Sequence, residues 1–140
     1  MGANSKHSGI PLKLFADNAR GNLYVGEAER DIPFPIKRFY IISDIPSRDV
    51  VRGGHAHRKI EQVMFCAKGS CTVRMDDGTK KWEVALTTPK EGLYIGAGVW
   101  HDFTDCSRDC VVLMVASDYY DEADYIRDYP AFVEFLKEAR

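Results

Sequence analysis

The sequence has no long apolar run and no excess of charge of either sign. It contains no window of about 18 apolar residues, which excludes a transmembrane helix. Nineteen Lys and Arg against 21 Asp and Glu give a net charge of −2, which argues against a nucleic-acid-binding surface and against a polybasic membrane surface. Residues 1–6 lack the apolar segment of a secretory signal, so we expect a cytoplasmic protein.

Cysteine is scarce, with four residues in the chain, and we expect reduced thiols in a cytoplasmic protein. The pairs Cys66/Cys71 and Cys106/Cys110 leave four and three intervening residues, which fits a zinc site poorly. We interpret them as small buried hydrophobic residues. Repeats and linkers are absent as well. The 140 residues therefore predict one domain, 1–140, with residues 1–10 as a flexible leader.

What the sequence does contain is a Gly, Pro, Asp or Asn about every 8–12 residues, a rhythm typical of a β-sandwich or barrel. Asp77-Gly78 separates two apolar runs and predicts a tight hairpin, because glycine accepts a positive φ there. The predicted strands are Leu23–Glu27, Ile36–Ser43, Glu61–Ala67, Ser70–Met75, Lys80–Leu86, Leu93–Ile95 and Cys110–Ala116.

The C-terminal segment follows a different period. Pro130 suits the first turn of a helix, and Phe132, Phe135 and Leu136 recur at i, i+3 and i+4. These residues predict a short helix packed on the sheets, and residues 121–128 are compatible with a further helical turn. The predicted fold is therefore all-β: a mostly antiparallel jelly roll with a short C-terminal helix.

Three of the histidines form a pattern. His55 and His57 stand two residues apart, so in an extended segment both point to the same face, and we expect that face to line the barrel. Glu61 follows four residues after His57, and His101 follows 44 residues after His57. Imidazole and carboxylate ligands suit Fe, Mn, Ni or Zn. Residue chemistry alone therefore leaves open a metal site, an acid–base site, or histidines satisfied within the core.

A glycine before His-x-His, then Glu, then a Gly-rich turn before a further histidine resembles the two-part signature of the cupin superfamily. Two positions depart from that signature: Gly96 stands where proline is usual, and Asp105 where asparagine is usual. In many cupins the matching positions hold a divalent metal, and here they are His55, His57, Glu61 and His101.

The match is closer to one branch of that superfamily. Residues 52–63, RGGHAHRKIEQV, are similar to the R-G-x-H-A-H-x-K-x-x-Q signature of the dTDP-4-keto-6-deoxyglucose 3,4-ketoisomerases. Residues 20–23, 36–40, 92–101 and 116–127 resemble that family as well. The resemblance implies a small jelly-roll cupin barrel, active without metal or other cofactor. It also implies a homodimer with exchanged N-terminal strands, and dTDP-4-keto-6-deoxyglucose as the substrate.

The implied reaction exchanges the keto group between C4 and C3 through an enediolate. Histidine suits such acid–base steps because its pKa lies near neutral pH. The resemblance assigns removal of the C3 proton to His55 and proton transfer between the oxygens to His57, with the two roles open to exchange. His101 would polarise or orient. The product would supply a 3-aminotransferase, giving 3-amino sugars for cell-surface glycans such as the O-antigen of lipopolysaccharide, or for antibiotics.

The substrate diphosphate needs local cations on a nearly neutral protein, and arginine binds phosphate well. Arg38 and Tyr40 alternate onto one strand face, and Arg52 shortly precedes the histidines. Tyr119, Tyr120 and Tyr125 are candidates for stacking on thymine or, equally, for packing. The residues predicted to bind substrate are Arg20, Arg38, Tyr40, Arg52, Glu61, Tyr119 and Tyr120.

Other functions fit parts of the same pattern. A sugar-nucleotide 3,5-epimerase also removes protons beside a C4 ketone, a metal-dependent cupin oxygenase would use the histidines as ligands, and a sugar-binding cupin would need no base. Within the ketoisomerases, the pair Arg20-Gly21 resembles the branch whose product carries an axial (galacto) C4 hydroxyl.

Overall fold

The computed structural model describes residues 9–139. Within this range, twelve β-strands form two five-stranded sheets and a separate hairpin. A 3-10 turn spans Glu122–Asp124, and helix α1 spans Tyr129–Ala139. The strands are β1 (Gly9–Pro11), β2 (Lys13–Asp17), β3 (Gly21–Val25), β4 (Arg38–Ile42), β5 (Arg52–His57), β6 (Gln62–Lys68), β7 (Cys71–Asp76), β8 (Lys81–Leu86), β9 (Glu91–Ile95), β10 (Trp100–Thr104), β11 (Val111–Ala116) and β12 (Tyr125–Ile126).

The two larger sheets face each other. Their strand orders are β1-β9-β6-β11-β4 and β12-β5-β10-β7-β8, and the paired strands run antiparallel. Inward side chains from both sheets, such as Met64, Val73 and Met114, are buried in one cluster. This arrangement confirms the predicted all-β cupin jelly roll, an antiparallel sandwich with a short C-terminal helix.

The predicted turn and helix both form. Gly78 adopts φ +89° in the hairpin that joins β7 to β8, and its N–H donates to Asp76 Oδ1 at 2.8 Å. Helix α1 begins where Asp128 accepts from the Ala131 N–H at 3.0 Å, a side-chain cap. Phe132 is fully buried against the outer face of β5 and β12, so α1 supports the strand that carries the histidines.

The structure refines several expectations about individual elements. The further helical turn expected in residues 121–128 forms as the 3-10 turn of Glu122–Asp124, and the short strand β12 follows it. Of the leader predicted for residues 1–10, Gly9 and Ile10 belong to β1, where Gly9 pairs with Leu93, and residues 1–8 lie outside the described residues. Strand β10 was not predicted, because Trp100 and Phe103 are the two apolar residues among its five. No helix in the described part of the chain is long and apolar enough to cross a membrane.

The hairpin of β2 and β3 stands apart from both sheets. It carries apolar side chains that solvent reaches, with Phe15 59% and Leu23 58% exposed. A second apolar surface lies on the edge strand β4, where Phe39 is 65% and Ile41 59% exposed. Burial of apolar area is favourable, so contact with another protein surface would be favourable at both of these faces.

Candidate active site

A bulge in β5 positions the first histidine. His101 pairs with His55 and the next residue, Asp102, pairs with Gly53, so Gly54 is an extra residue in the strand. Gly53 and Gly54 have φ +92° and +81°, a region that glycine enters without strain. A Cβ on Gly53 would lie 3.0 Å from the Cα of Asp102. Glycine at position 53 therefore allows β5 to approach β10 closely, two residues before His55.

The two histidine strands and β4 enclose a cavity of about 570 Å³. It contains four predicted site residues besides His55, since Arg38, Tyr40, Arg52 and His101 also line it. Arg52 precedes His55 by three residues, an odd separation that places side chains on opposite faces of a regular strand. The extra residue in the bulge restores both to the same side. The remaining lining residues are Ile42, Val50, Val51, Gly53, Phe103, Met114, Tyr125 and Arg127.

His55 and His101 face each other with neutral rings. Their ring centroids are 4.8 Å apart. Burial lowers the pKa of His55 to about 3 and that of His101 to about 4, so both are uncharged at neutral pH. His101 Nδ1 lies 3.1 Å from the Val99 carbonyl oxygen, which can only accept, so its Nε2 carries the lone pair. Both ring nitrogens of His55 are buried without a hydrogen-bond partner among the described residues.

His57 lies behind this pair and is not among the residues that line the cavity. It is 2% exposed, and its Nδ1 lies 3.1 Å from Asp124 Oδ2. The Asp124 carboxylate also accepts the N–H groups of Lys59 at 2.9 Å and Ile60 at 3.1 Å. Burial lowers the pKa of His57, against the opposing effect of Asp124. The carboxylate therefore holds His57 with Nδ1 protonated and Nε2 as the acceptor.

Arg38 and Tyr40 form the opposite wall. The Nε and Nη2 atoms of Arg38 are buried without a hydrogen-bond partner among the described residues, and the guanidinium lies 5.4 Å from the Tyr40 ring centroid. The Tyr40 hydroxyl accepts from Gln62 Nε2 at 2.8 Å, and burial raises the pKa of Tyr40. Burying a donor without a hydrogen-bond partner costs free energy, so this wall favours the binding of an anionic or oxygen-rich ligand.

The sequence did not single out Asp124 or Arg127, and it offered Tyr125 as a candidate for stacking or for packing. The Tyr125 ring lies 4.9 Å from that of His55, and the Arg127 guanidinium lies 4.3 Å over the Tyr125 ring. Arg127 also pairs with Glu122 at 2.8 Å. All three lie at the end of the segment 116–127 that resembles the ketoisomerases, and this resemblance is the signal that could have identified them. No local periodicity distinguishes them.

Four predicted substrate-binding residues lie outside the cavity lining. The Glu61 carboxylate accepts from the Tyr94 hydroxyl at 2.5 Å, a contact beside the cavity wall, not in it. Arg20 is exposed in the β2–β3 turn and pairs with Asp17 at 2.6 Å. Tyr119 and Tyr120 are 68% and 58% exposed, and Tyr120 nears the cavity through a 5.8 Å contact of its ring with the Arg38 guanidinium.

The arrangement does not fit the metal site of other cupins. Within residues 9–139, a group of ligand atoms close enough to hold an ion forms among cysteines, not among the histidines and Glu61. Glu61, the carboxylate of the cupin ligand set, is engaged by the Tyr94 hydroxyl. The site chemistry is therefore that of neutral imidazoles beside unpaired cations, which suits proton transfer on an anionic substrate.

The chain is similar to known proteins over most of its length. Residues 5–137 match the family described as FdtA, WxcM-like, C-terminal. The chain is 49% identical over 127 residues to the TDP-4-oxo-6-deoxy-alpha-D-glucose-3,4-oxoisomerase of Aneurinibacillus thermoaerophilus, covering 91% of this chain and 90% of that protein.

Solved structures give the same result. QdtA, a sugar 3,4-ketoisomerase from Thermoanaerobacterium thermosaccharolyticum in complex with TDP, is 40% identical with a TM-score of 0.91, and the match covers 99% of this chain and 98% of that one. A 3,4-ketoisomerase from Helicobacter canadensis is 37% identical with a TM-score of 0.89, over 94% and 97% of the two chains. The chain belongs to the FdtA family and is an enzyme of the TDP-sugar 3,4-ketoisomerase class.

Proposed function

We propose that the enzyme moves the keto group of dTDP-4-keto-6-deoxy-D-glucose from C4 to C3 by histidine acid–base catalysis. The observation that carries this proposal is His55, which lies on the cavity wall with both ring nitrogens free of hydrogen-bond partners among the described residues. Its ring is neutral because burial lowers its pKa. A neutral imidazole in that position is ready to accept a proton.

The proposed reaction is a balanced pair of proton transfers. His55 removes the proton on C3, which the C4 ketone acidifies, and the electrons move onto the C4 oxygen to form the enediolate. A proton then passes from the C3 oxygen to the C4 oxygen, and protonated His55 returns its proton to C4. No electron leaves the sugar, so the reaction needs no redox partner.

The transfer between the oxygens fits His101 better than His57. The sequence resemblance assigned that role to His57, but His57 lies behind the cavity wall and is held by Asp124. His101 lines the cavity and presents Nε2 as an acceptor, since Nδ1 donates to Val99. We assign the oxygen-to-oxygen transfer to His101 and a positioning role to His57.

Three arginines supply the local positive charge that the diphosphate requires. Arg38, Arg52 and Arg127 line the cavity, and guanidinium groups bind phosphate oxygens in bidentate geometry. Arg38 is the best placed because its buried Nε and Nη2 lack a partner in the described structure. A variant of QdtA that is 39% identical to this chain was solved in complex with TDP-4-keto-6-deoxyglucose, which supports the choice of substrate.

We also propose a homodimer in which the β2–β3 hairpin of one subunit is exchanged onto its partner. The hairpin stands apart from its own sheets and exposes Phe15 and Leu23. The edge strand β4 exposes Phe39 and Ile41 on the face opposite Arg38. Placing one on the other covers both apolar surfaces. It also carries Arg20 from an exposed turn toward the neighbouring subunit's cavity.

The stereochemistry at C4 follows from the number of bases. The hydrogens on C3 and C4 of a gluco sugar lie on opposite ring faces. If His55 both removes and returns the proton from one face, the product therefore has an axial, galacto C4 hydroxyl. This agrees with the resemblance of Arg20-Gly21 to the axial branch. The 3-keto product is then a substrate for a 3-aminotransferase, in the synthesis of a 3-amino sugar.

A coupled assay with labelled substrate tests the reaction and its stereochemistry. The protein is incubated with dTDP-4-keto-6-deoxyglucose carrying deuterium on C3, and a 3-aminotransferase traps the product for NMR. We expect a 3-amino sugar with an axial C4 hydroxyl and some deuterium on C4. Absence of a 3-amino product would refute the ketoisomerase assignment. An equatorial hydroxyl without deuterium transfer would refute the single base.

The role of His55 is tested by His55→Asn, which keeps the polar shape but removes the base. We expect isomerisation to fall by at least about 10²–10⁴-fold, the usual contribution of a general base. TDP affinity should remain within a few-fold of that of the unmodified enzyme, because the arginines are intact. Turnover close to that of the unmodified protein would exclude His55 as the base.

A further inference from the structure

The four cysteines converge at the end of the sandwich away from the histidines. Cys66 lies near the end of β6 and Cys71 begins β7, while Cys106 and Cys110 flank the turn between β10 and β11. All four are buried and free. The Sγ atoms of Cys66, Cys71 and Cys110 lie within 4.8 Å of one another, and those of Cys66 and Cys110 are 3.9 Å apart.

The two turns that carry these cysteines are fastened to each other. The Ser70 N–H donates to Ser107 Oγ at 2.9 Å, and the Ser107 N–H donates to the Ser70 carbonyl at 2.9 Å. Gly69 has φ +74°, and a Cβ there would lie 3.0 Å from the Cα of Cys110 and closer still to Ser107. Backbone contacts, and not side-chain packing alone, therefore fix the sulfurs relative to one another.

We propose that the thiolates of Cys66, Cys71 and Cys110, with Cys106 as the fourth ligand, bind one structural Zn²⁺. Zinc binds four sulfurs tetrahedrally at about 2.3 Å, which places the sulfurs about 3.8 Å apart. The 3.9 Å between Cys66 and Cys110 matches that spacing. Cys106 is also buried and lies in the turn that leads to Cys110, which makes it the candidate for the fourth ligand.

Zinc-bound cysteines are thiolates, so binding of the dication replaces the thiol protons. Its binding energy then contributes to folding.

The sequence spacing concealed this cluster. Intervals of four and three residues differ from the two-residue interval common in zinc sites. Here each pair spans a turn between two strands, so the strands set the distance. The cluster is also separate from the catalytic cavity. Cys106 lies beyond Thr104, the last residue of β10, and Thr104 is three residues from His101 along that strand. At about 3.3 Å per residue, that separation is roughly 10 Å. The ion is therefore structural, and the proposal does not depend on the proposed reaction.

Metal analysis tests the proposal. The protein is purified without chelator or affinity tag from zinc-containing medium, and zinc is measured by mass spectrometry. We expect about one Zn²⁺ per chain in the unmodified protein and in His55→Asn, and little in Cys66→Ser/Cys110→Ser. The His55 variant is the control, since it would lose an ion held at the histidines. Zinc that is absent even after incubation with ZnCl₂, or that is lost with His55 and kept without the cysteines, would overturn the proposal.

Cobalt substitution keeps the proposal testable if the cysteine variant does not fold. Co²⁺ added to the metal-depleted, unmodified protein should give the intense near-ultraviolet absorption of thiolate-to-cobalt charge transfer, together with a rise in the unfolding temperature. Absence of that absorption contradicts the site. So does the finding of a Cys66–Cys110 disulfide in freshly purified protein, because oxidised sulfurs do not bind the ion.

Discussion

At the scale of single residues, the site separates charge from proton transfer. The histidines are neutral because burial lowers the pKa of His55 and His101, while the positive charge comes from arginines that cannot lose their protons. Arg38 can therefore bind an anion without competing for the proton that His55 carries. The buried Asp124 carboxylate departs from this division, because it pairs with His57 and not with an arginine.

Asp124→Asn tests the positioning of His57. An amide can present only one oxygen to the donors of His57, Lys59 and Ile60, so His57 loses its fixed tautomer. We expect kcat to fall by about 10²-fold with KM changed little, measured by the coupled assay.

Asp128→Asn is the matched control for that substitution. Asp128 caps helix α1, and asparagine caps a helix as well as aspartate, so its kcat should stay normal. Equal kcat values for the two variants would show that Asp124 serves only the fold.

At the scale of elements, the alternation of side chains between the two faces of β5 shifts by one residue at a single glycine. Gly54 is the extra residue opposite β10, and it brings Arg52 and His55 to one side of the sheet. Helix α1 packs Phe132 against Ala56 on the other face of the same strand. The bulge sets the direction of the catalytic side chains, and the helix keeps the strand in place.

Gly54→Ala tests this device. A Cβ at φ +81° is strained, although no atom lies within 4 Å of it, so we expect a loss of about 1–3 kcal/mol in the free energy of unfolding. We also expect a loss of activity well beyond that of Gly78→Ala, which has φ +89° in a distant turn. Urea unfolding and the coupled assay measure the two effects. Equal activities in the two variants would contradict a special role for the bulge.

Regular elements were predictable from the sequence and irregular ones were not. The continuous apolar runs of residues 61–67 and 110–116 gave β6 and β11 within two residues, because a short apolar run between turn signals indicates a buried strand. The sequence also pointed to His55, His101, Arg38 and Arg52. It could not show Asp124, whose partner His57 is 67 residues away, because no local pattern records a contact between distant segments.

At the scale of the whole molecule, two buried neutral histidines make stability depend on pH. Their pKa values are about 3 and 4 in the folded protein and about 6.5 in the unfolded chain. The unfolded chain therefore binds more protons once the pH falls below 6.5, and each histidine then lowers stability by up to about 1.4 kcal/mol per pH unit.

The prediction is a fall in the urea midpoint between about pH 6.5 and pH 4, with full stability above pH 6.5. The double variant His55→Asn/His101→Asn should show a shallower fall in that window. An identical pH dependence would mean that other groups control acid unfolding.

The exposed apolar faces lead to a prediction about assembly. Phe39→Ser in β4 and Phe15→Ser in β2 should each weaken the dimer, because each removes buried apolar area from the proposed contact. Sedimentation at decreasing protein concentration measures the effect. Val51→Ser is the control, because Val51 is likewise an exposed apolar residue, at 51%, but belongs neither to the β2–β3 hairpin nor to β4. A dimer that all three variants leave unchanged would place the interface elsewhere.

The buried Nε and Nη2 of Arg38, which have no hydrogen-bond partner within residues 9–139, give the molecule one more property, which concerns its lifetime and not its turnover. A ligand that binds only the folded state raises stability with the logarithm of its concentration. An empty cavity with unsatisfied donors should therefore be the heat-sensitive form, and a nucleotide-filled one the durable form. The amount of enzyme that survives would then follow the supply of the nucleotide sugar, so substrate scarcity would remove idle enzyme without a dedicated regulator.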